Sequence, residues 1–293
     1  MSRPFRIVGI IGKPRDPSVA GRLTQLTQYL QSRELKVLVE AATAESLDIP
    51  AAASLPIETL GAEIDLAIVI GGDGTILRAV RQLAKHRVPT IGINLGRVGF
   101  LADISADEMI VEIGKLLDGQ GEIMPRMLLQ AEVTRGGKTI HESLALNDVV
   151  VTKGELARLI EFETWLDGEF VSSARADGII VATPTGSTAY ALSAGGPILY
   201  PDLPAITLVP ICPHTLSQRP LVVSSDSAVE IVMAGTAPGQ RAYVSFDGQT
   251  AVALEDNDRV KIRRADIRAE LLHPAGRSHF DVLRTKLHWG RKL

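Results

Sequence analysis

Two textures of apolar residues divide this chain. Up to about residue 121, short continuous apolar runs alternate with stretches of helical spacing. Arg6 to Ile11 reads as a strand. Val19, Leu23, Leu26 and Leu30 then recur at the three- and four-residue intervals of one helix face, with Ser18 placed to cap it. Lys36 to Glu40 predicts a second strand, residues 41 to 62 a weakly patterned Ala-rich connection, and Asp65 to Ile70 a third strand. Helical spacing returns over Ile76 to Leu83, and Val88 to Ile93 supplies another strand. Ser105 and Glu108 form a capping box before a helix carrying Ile110, Ile113, Leu116 and Leu117. Strands and helices in alternation predict an α/β domain with a mostly parallel sheet.

Past Asp118-Gly119-Gln120-Gly121 the runs shorten and are punctuated by hairpin signals such as Arg135-Gly136-Gly137 and Asp167-Gly168. Strands are predicted from Leu128 to Thr134, Leu146 to Thr152, Ile160 to Leu166, Ile179 to Thr183, Ile206 to Ile211, Ala228 to Met233, Ala242 to Phe246 and Arg259 to Arg263. Phe280 to Leu287 predicts one short helix. The expected organisation is an α/β domain over 1–121, a β-rich domain over 122–275, and a segment 276–293 open to packing back on the first domain.

Composition narrows the class. At 293 residues, 45% hydrophobic and 22% charged, the chain suits about two ordinary globular domains. A net charge of −3 and 4% aromatic residues weigh against a nucleic-acid partner. The single cysteine, Cys212, excludes an internal disulfide and a multi-cysteine zinc site, and suits the reducing cytoplasm. The apolar run at the N-terminus is too short for a signal peptide, and none approaches the roughly 18 residues of a membrane span, so no membrane partner is expected.

Several common sites are missing: the Gly-x-x-x-x-Gly-Lys-Ser/Thr phosphate loop, Gly-x-Gly-x-x-Gly after the first strand, His-Glu-x-x-His and Gly-x-Ser-x-Gly. What the chain does carry is Gly71-Gly72-Asp73-Gly74-Thr75, set between a predicted strand and a predicted helix. In open α/β sheets ligands bind at such turns, because glycines let a substrate approach the backbone and a helix start offers N–H groups to an anion. Asp73 is the one carboxylate there; a tight turn with Asp73 as helix cap is the plainer alternative.

Further polar clusters end or interrupt apolar runs. Asn147-Asp148 breaks an otherwise buried strand, and such groups need partners from protein or ligand. Arg175-Ala176-Asp177-Gly178 introduces another strand and reads as a turn or a site. Thr183-Pro184-Thr185-Gly186-Ser187-Thr188-Ala189-Tyr190 sets four hydroxyls around a kink before a helix-like stretch from Ala189 to Ala194, and suits ribose hydroxyls, an adenine edge or a pyrophosphate. Ser245-Phe246-Asp247-Gly248-Gln249 puts a second, exposed carboxylate at a hairpin turn.

These segments, with Gly195-Gly196-Pro197, occur in the order found in NAD kinases, and the sequence resembles that family along most of its length. The glycine-aspartate motif alone is shared with phosphofructokinases and lipid kinases. The Asn147-Asp148 pair and the Thr183 to Thr188 segment point to the NAD-specific branch. The resemblance implies a Rossmann-like α/β domain and a β-rich domain with the active site in the cleft between them. It implies transfer of the γ-phosphoryl of ATP, with a divalent metal, Mg²⁺ foremost, to the 2′-hydroxyl of the adenosine ribose of NAD. Asp73 would accept the proton of that hydroxyl or orient it, ligate the metal, or do both in turn. Gly74 would let the ribose approach, and Gly72, Gly74 and Thr75 would lie near the phosphates. Phe100 would flank the adenosine, and Asn147 and Asp148 would hold the ribose and its surroundings. Asp177, Thr188, Ala189, Tyr190, Ala191, Leu192 and Ser193 would bind the rest of the dinucleotide. Arg158, Arg175, Asp247 and Gln249 are placed at the site on the same grounds. The resemblance further implies a homodimer or homotetramer in which a neighbouring chain can complete the dinucleotide site. A lipid or sugar kinase of the same superfamily and a non-catalytic dinucleotide sensor are the competing readings. No ATP motif exists beyond the Gly-rich turn, so the donor range and the choice between NAD and NADH stay open here.

Overall fold

Leu66–Ile70 is apolar throughout, Thr90–Asn94 is apolar between its terminal Thr90 and Asn94, and every residue of both strands is buried. That is the composition a parallel strand needs when both its faces are covered. In the computed structural model, which describes residues 5–46, 54–96, 99–102, 104–154, 159–215, 217–235 and 241–289, they lie side by side in a parallel sheet. Its order is Ser54–Leu55, Lys36–Glu40, Ile7–Gly12, Leu66–Ile70, Thr90–Asn94, with Ile104–Ser105 beside the last.

The chain divides into two units, Met1–Pro125 with Ala269–Leu293, and Arg126–Arg268. In the first, the helix Pro17–Ser32 buries Val19, Leu23, Leu26 and Leu30 against Val8, Ile10, Ile68 and Ile70. Asp16, not Ser18, is its cap: Oδ1 of Asp16 accepts the Ser18 N–H at 3.2 Å and the Ser18 hydroxyl at 2.6 Å. The Ser105–Glu108 box forms ahead of the helix Met109–Leu117, Glu108 N–H donating to Ser105 Oγ at 3.3 Å and the serine hydroxyl to Glu108 Oε2 at 2.9 Å. The connection over 41 to 62 contains the helices Ala41–Ser46 and Ile57–Glu63 and the strand Ser54–Leu55. Helices of six and seven residues complete under two turns, too few for the apolar period to register. The last stretch of the chain adds Leu271, paired in parallel with Thr90, and the helix His279–Leu287 with Leu283 buried.

The second unit is antiparallel. Six strands pair in the order Leu221–Ser224, Ala205–Ile211, Gly178–Ala182, Asp148–Lys153, Ala242–Phe246, Thr250–Leu254. A second group sets Ile160–Leu166 between Glu169–Ala176 and Val229–Met233. Val149, Val181, Leu208 and Phe246 of the first group share one core with Leu129, Phe162, Ile231 and Val260, the arrangement of two facing sheets. The other face of the six-stranded sheet buries Val150, Ile180 and Val209 under Ala191 of the short helix Tyr190–Ser193. Among the described residues no helix is long and apolar enough to cross a membrane.

Candidate functional site

Parallel pairing continues one residue past the strand Leu66–Ile70, with Gly71 N–H donating to Ile93 O at 2.9 Å. A β-carbon on Gly71 would meet Thr75 Oγ1 at 2.7 Å, so the turn closes only around a glycine here. Gly72 is the N-cap of the helix Asp73–Leu83, and its carbonyl accepts from Thr75 at 2.9 Å and Ile76 at 3.2 Å. Asp73 is therefore the first helical residue, not the cap. Its Oδ2 accepts the Phe100 N–H at 3.3 Å. Oδ1 is buried with no hydrogen-bond partner among the described residues. A β-carbon on Gly99 would fall 1.9 Å from Oδ1, so the loop packs on this carboxylate only because residue 99 lacks a side chain. Gly72 and Gly74 are exposed and have open space beside them.

Arg78 on the same helix forms a two-pronged ion pair with the buried Glu40, at 2.6 and 2.9 Å. Thr43 donates its hydroxyl to Glu40 Oε2 at 2.7 Å and accepts the Gly12 N–H at 2.9 Å. The helix that begins at Asp73 is thus tied to the ends of the first two strands. An isolated Arg and Glu 38 positions apart carry no pattern by which the sequence alone would join them.

In the second unit Asp247 and Gly248 occupy the turn between Ala242–Phe246 and Thr250–Leu254, with φ of 52° and 64°, and Gln249 N–H closes it on Phe246 O at 3.0 Å. Both angles suit the tight hairpin turn that Asp-Gly favours. The Asp247 carboxylate was expected to be exposed; it is half-buried and accepts three backbone N–H groups instead. These come from Leu146 at 3.0 Å, Asn147 at 2.7 Å and Asp148 at 3.2 Å. Thr183 grips the same loop, its hydroxyl donating to Leu146 O at 2.6 Å and its N–H to Asn147 O at 2.9 Å. Gly186 lies so close that a β-carbon would reach Asn147 O at 2.0 Å. Asn147, Asp148, Asp247 and the start of the Thr183 to Tyr190 segment therefore form one cluster. Asp148 is 5% exposed. Its carboxyl is pushed up to about 7, first by burial and then by the negative charge of Asp247.

Other expected residues lie elsewhere. Asp177 precedes the strand Gly178–Ala182 and pairs with Lys153 Nζ at 2.7 Å. Arg175 Nε pairs with Glu161 Oε1, its cross-strand neighbour, at 2.9 Å. At ~3.3 Å per residue, the six steps from Asp177 to Thr183 put Asp177 roughly 20 Å from the Asn147–Asp148 cluster, and Arg175 lies on the preceding strand, Glu169–Ala176. Ala191 is fully buried in the core beneath the six-stranded sheet. Thr188 and Leu192 are half-buried, Ser193 and Gln249 are exposed, and Tyr190 is 47% exposed. Arg158 lies outside the described residues.

A glycine-aspartate turn at the carboxyl end of a parallel strand stands where open α/β sheets bind their ligands, and the chain continues from that domain into an antiparallel β unit. Residues 8–121 match the ATP-NAD kinase N-terminal domain and residues 146–273 the ATP-NAD kinase C-terminal domain. The chain is 48% identical over 290 residues to the NAD kinase of Aromatoleum aromaticum, covering 99% of this chain and 96% of that one. It is 50% identical over 289 residues to the NAD kinase of Nitrosospira multiformis, covering 99% and 97%. Among solved structures, yeast NADH kinase complexed with NADH superposes with a TM-score of 0.88 at 27% identity, over 100% of this chain and 90% of that one. An NAD kinase from Archaeoglobus fulgidus in complex with ATP gives 0.74 at 30% identity, over 96% and 98%. The chain belongs to the NAD kinase family.

Proposed function

We propose that this chain transfers the γ-phosphoryl group of ATP to the 2′-hydroxyl of the adenosine ribose of NAD, and that Asp73 orients that hydroxyl and accepts its proton. The observation that carries the role of Asp73 is its Oδ1, buried and without a hydrogen-bond partner among the described residues. A sugar hydroxyl is a poor nucleophile at neutral pH, and a carboxylate oxygen free to accept its hydrogen bond can take the proton late in a loose phosphoryl-transfer transition state. Phe100 N–H holds the other oxygen, so the carboxylate is oriented before substrate arrives. Gly72, Gly74 and Thr75 at the helix start lie along the phosphates, where N–H groups favour an anion.

A divalent metal, Mg²⁺, completes this reading. Among the described residues no cluster of three or more His, Cys, Asp or Glu could cage an ion. That suits Mg²⁺ held mainly by nucleotide phosphates and water, with Asp73 as at most one protein ligand. Bound so, it neutralises charge on the transferring group.

Asn147, Asp148, Phe100, the Thr188 to Ser193 segment and Gln249 hold the dinucleotide, with Arg158 included on family resemblance. Asp247 acts through the backbone of the Asn147–Asp148 loop. Arg175 and Asp177 serve a dinucleotide bound to a neighbouring chain of a cytoplasmic homodimer or homotetramer. Support for that last point is the strand Gly178–Ala182, which separates them from the Asn147–Asp148 cluster of their own chain.

The test is direct. Purified protein given ATP, Mg²⁺ and NAD is expected to form NADP, read by an NADP-specific dehydrogenase. Phosphorylation of a lipid or sugar with NAD untouched overturns the assignment, as does tight NAD binding without transfer from ATP, other nucleotides or polyphosphate.

A further inference from the structure

The last stretch of the chain reaches the loop that holds Asp73. Gly276, at φ 79°, turns the chain between the strand Arg259–Pro274 and the helix His279–Leu287, and Arg277 follows it. Arg277 Nη2 donates to the carbonyl oxygen of Phe100 at 3.3 Å. Its Nη1 lies 2.9 Å from Nδ1 of His273, which is 3% exposed. Phe100 is thus gripped at both ends of its own backbone: the N–H faces Asp73 Oδ2 and the C=O faces the guanidinium. Gly99 beside it has no side chain to wedge the loop in place, and touches the carboxylate with its backbone alone.

We propose that Arg277 is a positioning residue for phosphoryl transfer, acting on Asp73 through the backbone of Phe100. The proposal rests on the role of Asp73 given above. A charged donor on a carbonyl makes one of the stronger hydrogen bonds, and the buried His273 fixes where that charge sits. Without Arg277 the carbonyl of Phe100 is released and its N–H drifts from Oδ2. Misplacing a reacting group by about 1 Å can cost on the order of 100-fold in rate.

The experiment is a double-mutant cycle on the full chain. Arg277→Met is expected to lower kcat by roughly 10- to 100-fold, with KM for NAD and ATP within about threefold of wild type and an unchanged melting temperature. Arg277→Lys keeps a cationic donor and retains a larger share of kcat. In the Asp73→Asn background, Arg277→Met is expected to cause no further loss, because the group it positions is gone. An equal fold-loss in both backgrounds, an unchanged kcat, or a loss seen only as a lower melting temperature or a raised KM overturns the proposal. If Arg277→Met does not fold, Arg277→Lys carries the same cycle. Asp73→Asn alone reports on the reading beneath: unchanged turnover there removes Asp73 from the chemistry. A deep loss there beside an active Arg277→Met overturns only the role of Arg277.

Discussion

The carboxylate of Asp247 accepts the backbone N–H of Asp148 at 3.2 Å while its charge disfavours ionisation of the Asp148 side chain. One residue therefore holds the loop in place and, second to burial, raises the pKa of the carboxyl the loop presents. The two effects separate under mutation, because the first needs an acceptor and the second needs a charge.

Asp247→Ala removes the acceptor for three N–H groups, those of Leu146, Asn147 and Asp148. Left unpaired and partly buried, such groups cost roughly 1–3 kcal/mol each before water repairs some of the loss, so a destabilisation of about 2–4 kcal/mol is expected. It would appear as a lower urea midpoint, accompanied by a KM for NAD raised about tenfold or more. Asp247→Asn retains one acceptor oxygen and should lie between. An unchanged midpoint in the alanine variant would mean that the loop is held by Thr183 alone.

Stability should also carry the signature of Asp148. Its folded carboxyl titrates at about 7, against an ordinary value of 3.8. Below about pH 4 both folded and unfolded chains hold the proton, and the favourable contribution of the neutral acid is fully present. Between about 4 and 7 only the folded chain retains it, so folding binds a proton and stability falls as pH rises. Above 7 the contribution is lost. Three units at roughly 1.4 kcal/mol each give about 4 kcal/mol across the window. Subtracting the stability of Asp148→Asn from that of wild type at each pH isolates this slope; a flat difference from pH 4 to 8 would refute it.

The contact between Gly99 and Asp73 makes a sharp steric prediction. A β-carbon 1.9 Å from Oδ1 cannot be accommodated unless the carboxylate or the loop moves. Gly99→Ala should therefore lower kcat by on the order of 100-fold with the fold retained. The control is Gly96→Ala, where the added carbon meets Asn94 Oδ1 at an ordinary 3.8 Å and turnover should stay near wild type. Equal activity in the two variants would show that the loop moves aside without disturbing Asp73.

The Gly71 to Thr75 turn was legible in the sequence because the apolar period changes from strand to helix across it, and the parallel sheet followed from the same alternation. The strands Glu169–Ala176, Leu221–Ser224 and Thr250–Leu254 were not, since most of their residues are exposed and polar or apolar residues there carry little burial signal. Asp247 was misjudged as exposed because its partners lie about 100 positions away, where no local pattern links them. The burial of Ala191 was not legible, since a helix of four residues is too short to show which side faces the core. Arg175 and Asp177 are near Thr183 in sequence, and only pairing of the strand between them reveals that they stand at its opposite ends.

That last separation leads to a test of the assembly. If Asp177 serves a dinucleotide held by a neighbouring chain, Asp177→Ala damages the partner's site and leaves its own Asp73 intact, whereas Asp73→Asn disables its own site and still lends Asp177 to a partner. Each homogeneous variant should then be deficient. Coexpressed and purified through separate tags as a mixed oligomer, the two should recover turnover, because each mixed pair contains one site with a native Asp73 and a native Asp177. Recovery would also fix the smallest active assembly at two chains. A mixed oligomer no more active than the average of its parents would place Asp177 in the site of its own chain, and the Lys153–Asp177 ion pair at 2.7 Å would then be a structural contact.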